Sequence, residues 1–215
     1  MKKFIAIAGN IGVGKSTLVK LLCQRLDFQP FYEPVAQNPY LEDFYRDMRA
    51  WAFHSQLFFL THRLHIHHDL LNYPGSVIQD RSVYEDAEVF ARNLHLQGAI
   101  SERDYGTYQS LYHVLSDLLS PPDLMIYLRA SDKTLLDRIA IRNRSYELNI
   151  SADYLKQLNG LYEDWINNFT LCPVLTVPAD DLDYVVHARH LDLIVSKVQE
   201  KLTGKDVVIF TPQEL

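Results

Sequence analysis

The run Gly9-Asn10-Ile11-Gly12-Val13-Gly14-Lys15-Ser16-Thr17 has the spacing G-x-x-x-x-G-K-[ST]. Its glycines let the backbone wrap an anion with N–H groups, and the helix expected to follow adds the positive potential of its N-terminus. Lysine at the position of Lys15 reaches β- and γ-phosphate oxygens, and the hydroxyl of Ser16 is placed to bind Mg²⁺. The chemistry is capture of a nucleoside triphosphate. An apolar run before the loop and Thr17-Leu18-Val19-Lys20-Leu21-Leu22 after it supply the strand and helix that the motif requires.

A phosphate loop serves kinases, GTPases and motors alike, so the rest of the site must decide. A GTPase would want Asp-x-x-Gly, but Asp80-Arg81-Ser82-Val83 lacks the glycine, and no Asn-Lys-x-Asp for guanine occurs. Glu33 follows an expected strand, where ligands gather in open α/β sheets, and its carboxylate can accept a hydroxyl proton. Asp80 and Arg81 end another such run, offering a carboxylate near Mg²⁺ and a guanidinium for phosphoryl or hydroxyl oxygens. Arg138, Arg142 and Arg144 lie in Asp137-Arg138-Ile139-Ala140-Ile141-Arg142-Asn143-Arg144, the first two one helical turn apart. An arginine-bearing helix end that closes over the nucleotide, an arginine-rich lid, would meet the equatorial oxygens of a transferred phosphoryl group.

The elements that must position these residues form an alternating pattern. Candidate strands are Lys3–Ala8, Pro30–Glu33, Ser76–Asp80, Asp123–Leu128 and Val174–Val177, and helices are expected to begin at Lys15, Tyr40, Trp51, Val83, Glu102, Asp132 and Ala152. Ser101 with Asp104, Ser131 and Ser151 have the spacing of helix caps. Strands alternating with helices predict an α/β fold, a five-stranded parallel sheet with helices on both faces. With no linker or repeat, residues 1–215 read as one domain.

Composition is consistent with this. The chain is 47% hydrophobic and 22% charged, enough for a sizeable core, and its formal charge of -6 argues against duplex nucleic acid as a partner. Cys23 and Cys172 have no ligand-like spacing, which suits a reducing compartment. Met1-Lys2-Lys3 followed by apolar residues is too short for a secretory signal, no run is long enough to span a membrane, and a cytoplasmic location is expected. His62, His65, His67 and His68 spread around more than one helix face, so they read as a solvated face and not as a metal site. The tail from Lys205, with Val207-Val208-Ile209-Phe210, suits an edge strand or a contact surface.

Taken together, these residues resemble the deoxynucleoside kinase family, whose members act on deoxyguanosine, deoxyadenosine, deoxycytidine or several such substrates. Besides the phosphate loop, the matching segments are Glu33-Pro34-Val35, Phe44-Tyr45, Trp51 to Gln56, Leu60-Thr61-His62-Arg63, Asp80 to Asp86, Arg138 to Glu147, and Pro173 to Thr176 leading to Asp180-Asp181. The resemblance covers nearly the whole chain. It implies transfer of the γ-phosphoryl group of ATP, with Mg²⁺, to the 5′-hydroxyl of a deoxynucleoside for nucleotide salvage, by a homodimer.

The resemblance also implies roles. Glu33 would be the base on the 5′-hydroxyl, Arg81 would hold that hydroxyl and the phosphoryl group, and Tyr45 with Glu147 would grip the 3′-hydroxyl. Gln56 would bond the base edge between walls formed by Trp51 and Phe90, with Arg63 and Asp86 at the polar end of the pocket. Asp180 and Asp181 would lie in the loop that contacts the donor's adenine. Asp80 stands where many eukaryotic members carry Glu. Arginine can donate to guanine and a carboxylate can accept from an exocyclic amine, so purine deoxynucleosides are expected first, deoxycytidine as possible and thymidine as poor. Two rivals remain: a nucleoside monophosphate kinase of the thymidylate kinase kind, whose acceptor phosphate Glu33 would repel, and a non-catalytic P-loop binding protein.

Overall fold

The computed structural model describes residues 1–32, 37–144, 147, 150–205 and 208–215. Strand β1 (Phe4–Gly9) is buried along its whole length and pairs in parallel with β3 (Val77–Asp80) on one side and β4 (Leu124–Arg129) on the other. β2 (Gln29–Phe31) extends the sheet beyond β3, and β5 (Val174–Pro178) extends it beyond β4. The order is β2-β3-β1-β4-β5, and all five strands are parallel, as the alternating pattern predicts for their direction.

Alternate side chains of one strand point to opposite faces, and here each set enters its own core. Ile5 and Ile7, with Leu124, Ile126 and Leu128, meet Leu18, Val19 and Leu22 of α1 (Lys15–Leu26). Phe4, Ala6, Ala8, Met125 and Tyr127 meet Leu60 and Leu70 of α3 (Met48–Asn72) and Leu158, Tyr162 and Trp165 of α8 (Ala152–Asn168). Each fully buried large apolar side chain stabilises the fold by about 1.5 to 3 kcal/mol.

The helix starts follow local chemistry. Ser101 caps α6 (Glu102–Ser116) by accepting from the N–H of Asp104 at 3.2 Å, and Ser151 caps α8 by accepting from that of Tyr154 at 3.1 Å. Ser131 caps α7 (Asp132–Arg142) in the same way. α3 begins at Met48 and not at Trp51, because the Asp47 carboxylate accepts from the N–H of Ala50 at 3.2 Å and starts the helix a turn earlier. A short α2 (Leu41–Arg46) precedes it. After β3, helical chain runs from α4 (Val83–Glu85) through a π-helical stretch, Asp86–Ala91, into α5 (Arg92–Leu96).

Three features depart from expectation. Helix α9 (Ala188–Leu202) buries Leu191, Ile194 and Val198 against the α1 side of the sheet, but its N-cap His187 offers no side-chain cap, so its start carries no sequence signal. The tail forms no strand in its described part. Val208 joins the core, with Phe210 and Leu215 packed against it, so this segment covers the protein's own interior. His67 is buried edge-on to Phe4 at 5.6 Å, unlike exposed His65 and His68. Among the described residues no group of three or more His, Cys, Asp or Glu could hold a metal ion, and none of the helices is long and apolar enough to cross a membrane.

Candidate active site

A cavity of about 1050 Å³ opens beyond the carboxyl ends of the strands, with the phosphate loop at one end and the π-helical stretch at the other. The loop is shaped by steric limits. Gly9 has φ 144°, and a Cβ there would lie 2.7 Å from the carbonyl oxygen of Leu128. Gly12 has φ 83°, where a Cβ would meet Ile139 at 2.7 Å and the Leu135 carbonyl at 3.0 Å, so α7 can rest directly on the loop. Ile11, Gly12, Gly14, Lys15, Ser16 and Thr17 line the cavity. Asn10 and Val13 are buried and work from behind. The Asn10 amide donates to Leu155 O at 2.9 Å and to Asn159 Oδ1 at 2.8 Å, and the Val13 carbonyl accepts from Arg138 Nη1 at 2.6 Å.

Lys15 Nζ donates to the carbonyls of Gly9 at 2.7 Å and Asn10 at 3.0 Å, which holds the ammonium over the loop. Ser16 donates its hydroxyl to Asp80 Oδ2. Asp80 is buried, and its Oδ1 has no hydrogen-bond partner among the described residues. A serine hydroxyl beside a carboxylate with an unused buried oxygen is a donor set that fits Mg²⁺, a hard cation that takes oxygen ligands.

Arg81 is one of the non-glycine residues with positive φ, at 66°. Its N–H donates to Ile7 O at 2.9 Å, its guanidinium lies 4.4 Å from the Phe90 ring centroid, and Nη1 donates to Glu85 Oε1 at 2.9 Å. Arg63 Nη1 donates to the carbonyls of Asp80 at 3.2 Å and Arg81 at 3.4 Å, supporting this bend from below.

At the far end, Arg63 Nε and Nη2 donate to the two oxygens of Asp86 at 2.9 and 3.4 Å. Asp86, Gln56, Phe90, Phe44, Tyr45 and Phe59 line the cavity. Gln56 is buried, and its Oε1 has no partner among the described residues. Arg63 and Trp51 are absent from the described lining. Arg63 is buried against Asp86, and Trp51 stacks on Tyr40 at 5.8 Å.

Arg138, Arg142, Arg144 and Glu147 border the cavity from α7 onward. Glu147 accepts from Arg142 and, at 3.4 Å, from Arg144. Arg138 is held by the carbonyls of Val13 and Ala179. Asp180 accepts from the N–H of Ser131 at 2.9 Å and so supports the start of α7, while Asp181 stands outside the described lining and Leu182, Asp183, Tyr184 and Val185 lie within it. Backbone N–H groups of Val186 and Val185 hold the Asp183 carboxyl below its ordinary range. Burial pushes the Tyr184 hydroxyl up to about 12, so it stays a neutral donor beside Gly14. Glu33 lies outside the described residues.

Sequence reasoning missed Glu85, Tyr162 and Tyr184 as parts of the site. Only Glu85 had a local signal, its place one helical turn after Arg81. Tyr162 is 153 positions from the Gly9 carbonyl to which its hydroxyl donates, and nothing local predicts that contact.

Comparison with known proteins places this geometry. A family model described as deoxynucleoside kinase matches residues 5–203. The deoxyadenosine/deoxycytidine kinase of Bacillus subtilis (strain 168) is 40% identical over 196 residues, 90% of this chain and 90% of that one. The deoxyguanosine kinase of the same strain is 35% identical over 201 residues, 92% of this chain and 96% of that one. A solved deoxyadenosine kinase from M. mycoides, with the products dCMP and a flexible dCDP bound, has a TM-score of 0.82 and 34% identity, covering 92% of this chain and 99% of that chain. Kinship along the chain and a shared backbone agree with what the cavity can do chemically: the chain belongs to the deoxynucleoside kinase family and transfers a phosphoryl group to an alcohol.

Proposed function

We propose that this enzyme phosphorylates the 5′-hydroxyl of deoxynucleosides whose base carries an exocyclic amine, deoxyadenosine first and deoxycytidine next, with ATP as donor and Mg²⁺ as cofactor. The observation that carries this reading is Asp86, fixed by the fork of Arg63 and facing the cavity beside Gln56. Adenine N6 and cytosine N4 are donors at equivalent places on the base edge, whereas guanine and thymine present oxygens there. Arg63 itself is committed to Asp86 and to backbone carbonyls, which weakens the case for guanine readout by that arginine. Similarity supports the order, since the deoxyadenosine/deoxycytidine kinase is 40% identical and the deoxyguanosine kinase 35%, and a similar deoxyadenosine kinase is solved with dATP.

In this reading Ser16 and Asp80 hold Mg²⁺, which when bound neutralises charge on the triphosphate oxygens. Lys15 exchanges its loop carbonyls for β/γ-phosphate oxygens, and Arg81, with Arg138, Arg142 and Arg144, meets charge on the transferred group. Glu33 takes the 5′-hydroxyl proton, while Tyr45 and Glu147 hold the 3′-hydroxyl. Gln56 and Asp86 read the base above Phe90, and Asp183 and Tyr184 border the donor's base. Exposed Leu111, Val114 and Leu118 share one side of α6 and its C-terminal end, an apolar surface suited to a homodimer, and two free cysteines suit the cytoplasm.

The test is kcat/KM for the four deoxynucleosides at fixed MgATP. Deoxyadenosine and deoxycytidine should lead deoxyguanosine, with thymidine last. A preference for deoxyguanosine or thymidine would refute the assignment of Asp86.

A further inference from the structure

Glu85 has no part in the roles above, yet it is fully buried beneath both the phosphate loop and Arg81. One oxygen, Oε1, accepts from the Gly9 N–H at 3.1 Å, from Arg81 Nη1 at 2.9 Å and from the Tyr162 hydroxyl. Its other oxygen has no hydrogen-bond partner among the described residues. The Tyr162 hydroxyl accepts from Arg81 Nη1 at 3.0 Å and lies 2.9 Å from the Gly9 carbonyl, so its single proton is shared between that carbonyl and Glu85. Burial and the nearby Glu85 carboxylate raise the Tyr162 pKa far above its ordinary value, and the hydroxyl remains a proton donor.

This arrangement links two parts of the site that the chain supplies separately. Gly9 opens the loop that holds the donor, and Arg81 sits at the end of β3 on a bend with positive φ that bonds to Ile7 and Arg63 support. Because one carboxylate oxygen touches both, a shift of the loop shifts the guanidinium. A fully buried carboxylate is costly to desolvate, and its pairing with Arg81 offsets that cost only while the geometry is kept. Phe90, whose ring centroid lies 4.4 Å from the guanidinium, limits the remaining freedom of Arg81.

We infer that Glu85, with Tyr162, is a positioning residue that sets Arg81 in register with the phosphate loop for phosphoryl transfer. The inference rests on Arg81 being the arginine that meets the transferred group. Glu85→Gln keeps an acceptor oxygen and the side-chain shape but loses the charge that anchors the guanidinium.

The experiment measures kcat, the KM values for ATP and deoxyadenosine, and Tm in Glu85→Gln, Tyr162→Phe, Arg81→Lys and the double variant Glu85→Gln/Arg81→Lys. Misplacement of a group at the reacting centre should lower kcat of Glu85→Gln by about 10- to 100-fold, with both KM values within about threefold of wild type. Tyr162→Phe should lose about three- to tenfold by the same route, and it carries the test if Glu85→Gln does not fold. In the Arg81→Lys background, followed in single turnovers, the added Glu85→Gln change should alter the rate by less than about twofold, because the group it positions is gone. Wild-type kcat in folded Glu85→Gln, or the same loss in both backgrounds, would overturn the inference. Full activity of Arg81→Lys would instead remove the assignment of Arg81 on which the inference stands.

Discussion

Asp86 presents its carboxylate to the cavity because Arg63 holds both oxygens from the protein side, and the pair is almost wholly dehydrated. Removing one partner of such a pair leaves a buried charge uncompensated, which typically costs about 3 to 5 kcal/mol, whereas replacing both leaves an apolar pocket. Arg63→Met with Asp86→Ala should therefore fold better than either single change and raise the relative kcat/KM for thymidine, read as its ratio to that for deoxyadenosine. An unchanged ratio would show that these residues do not choose the base. Glu33→Gln keeps shape and loses basicity, and turnover should fall by about 10² to 10⁴ with little change in triphosphate affinity, measured by single turnovers and by titration with a non-hydrolysable triphosphate. Wild-type turnover would make Glu33 structural. Residues read from a short contiguous motif, such as Lys15 and Ser16, were legible because the motif contains its own geometry. Glu85 and Tyr162 were not, since their meeting at Gly9 depends on how α4 and α8 cross over β1.

Helices and strands with a local start or stop were legible for the same reason. Ser101, Ser131 and Ser151 each satisfy an N–H that the helix leaves open, a contact worth about 1 kcal/mol that can be read from sequence. α9 has no such cap and its order comes from burying one face, which needs the sheet to be known. Two predictions belong to this scale. At Gly12 an added methyl group meets Ile139 and the Leu135 carbonyl at a φ that disfavours alanine, so Gly12→Ala should push α7 off the loop. Triphosphate binding by calorimetry should weaken by at least about tenfold, which is ~1.4 kcal/mol. Equal affinity would mean that the contact yields easily. His67 on α3 is desolvated against Phe4, and its pKa is lowered to about 4. The unfolded chain therefore binds a proton that the fold refuses between pH ~6.5 and about 4, and stability should fall as pH drops through that window by up to ~1.4 kcal/mol per unit. His67→Phe should flatten that part of the urea-midpoint profile, and an unaltered slope would place the proton elsewhere.

Across the whole molecule, the proposed donor and acceptor ends of the cavity meet at Glu147, whose oxygens are taken by Arg142 and Arg144. Those arginines are more than a third exposed, so the pairs contribute roughly 0 to 1 kcal/mol and can be exchanged for phosphate contacts at small cost. If a 3′-hydroxyl takes over Glu147, the arginines are released toward the donor. An acceptor lacking that hydroxyl, 2′,3′-dideoxyadenosine, should then raise the KM for ATP several-fold as well as its own, and an unaltered KM for ATP would separate the two ends of the site. The alternation of apolar runs predicted the layered α/β architecture, but pairing order is not written in any one segment. β1 finds its neighbours at Val77 and Leu124, far along the chain, and every bond in the sheet crosses an intervening helix. That arrangement has a kinetic consequence. Closing long loops precedes the contacts that stabilise them, so parallel sheets form slowly. The strand that ends in the phosphate loop has both neighbours only once β4 has paired, so in refolding experiments nucleotide affinity should appear with the last and slowest phase.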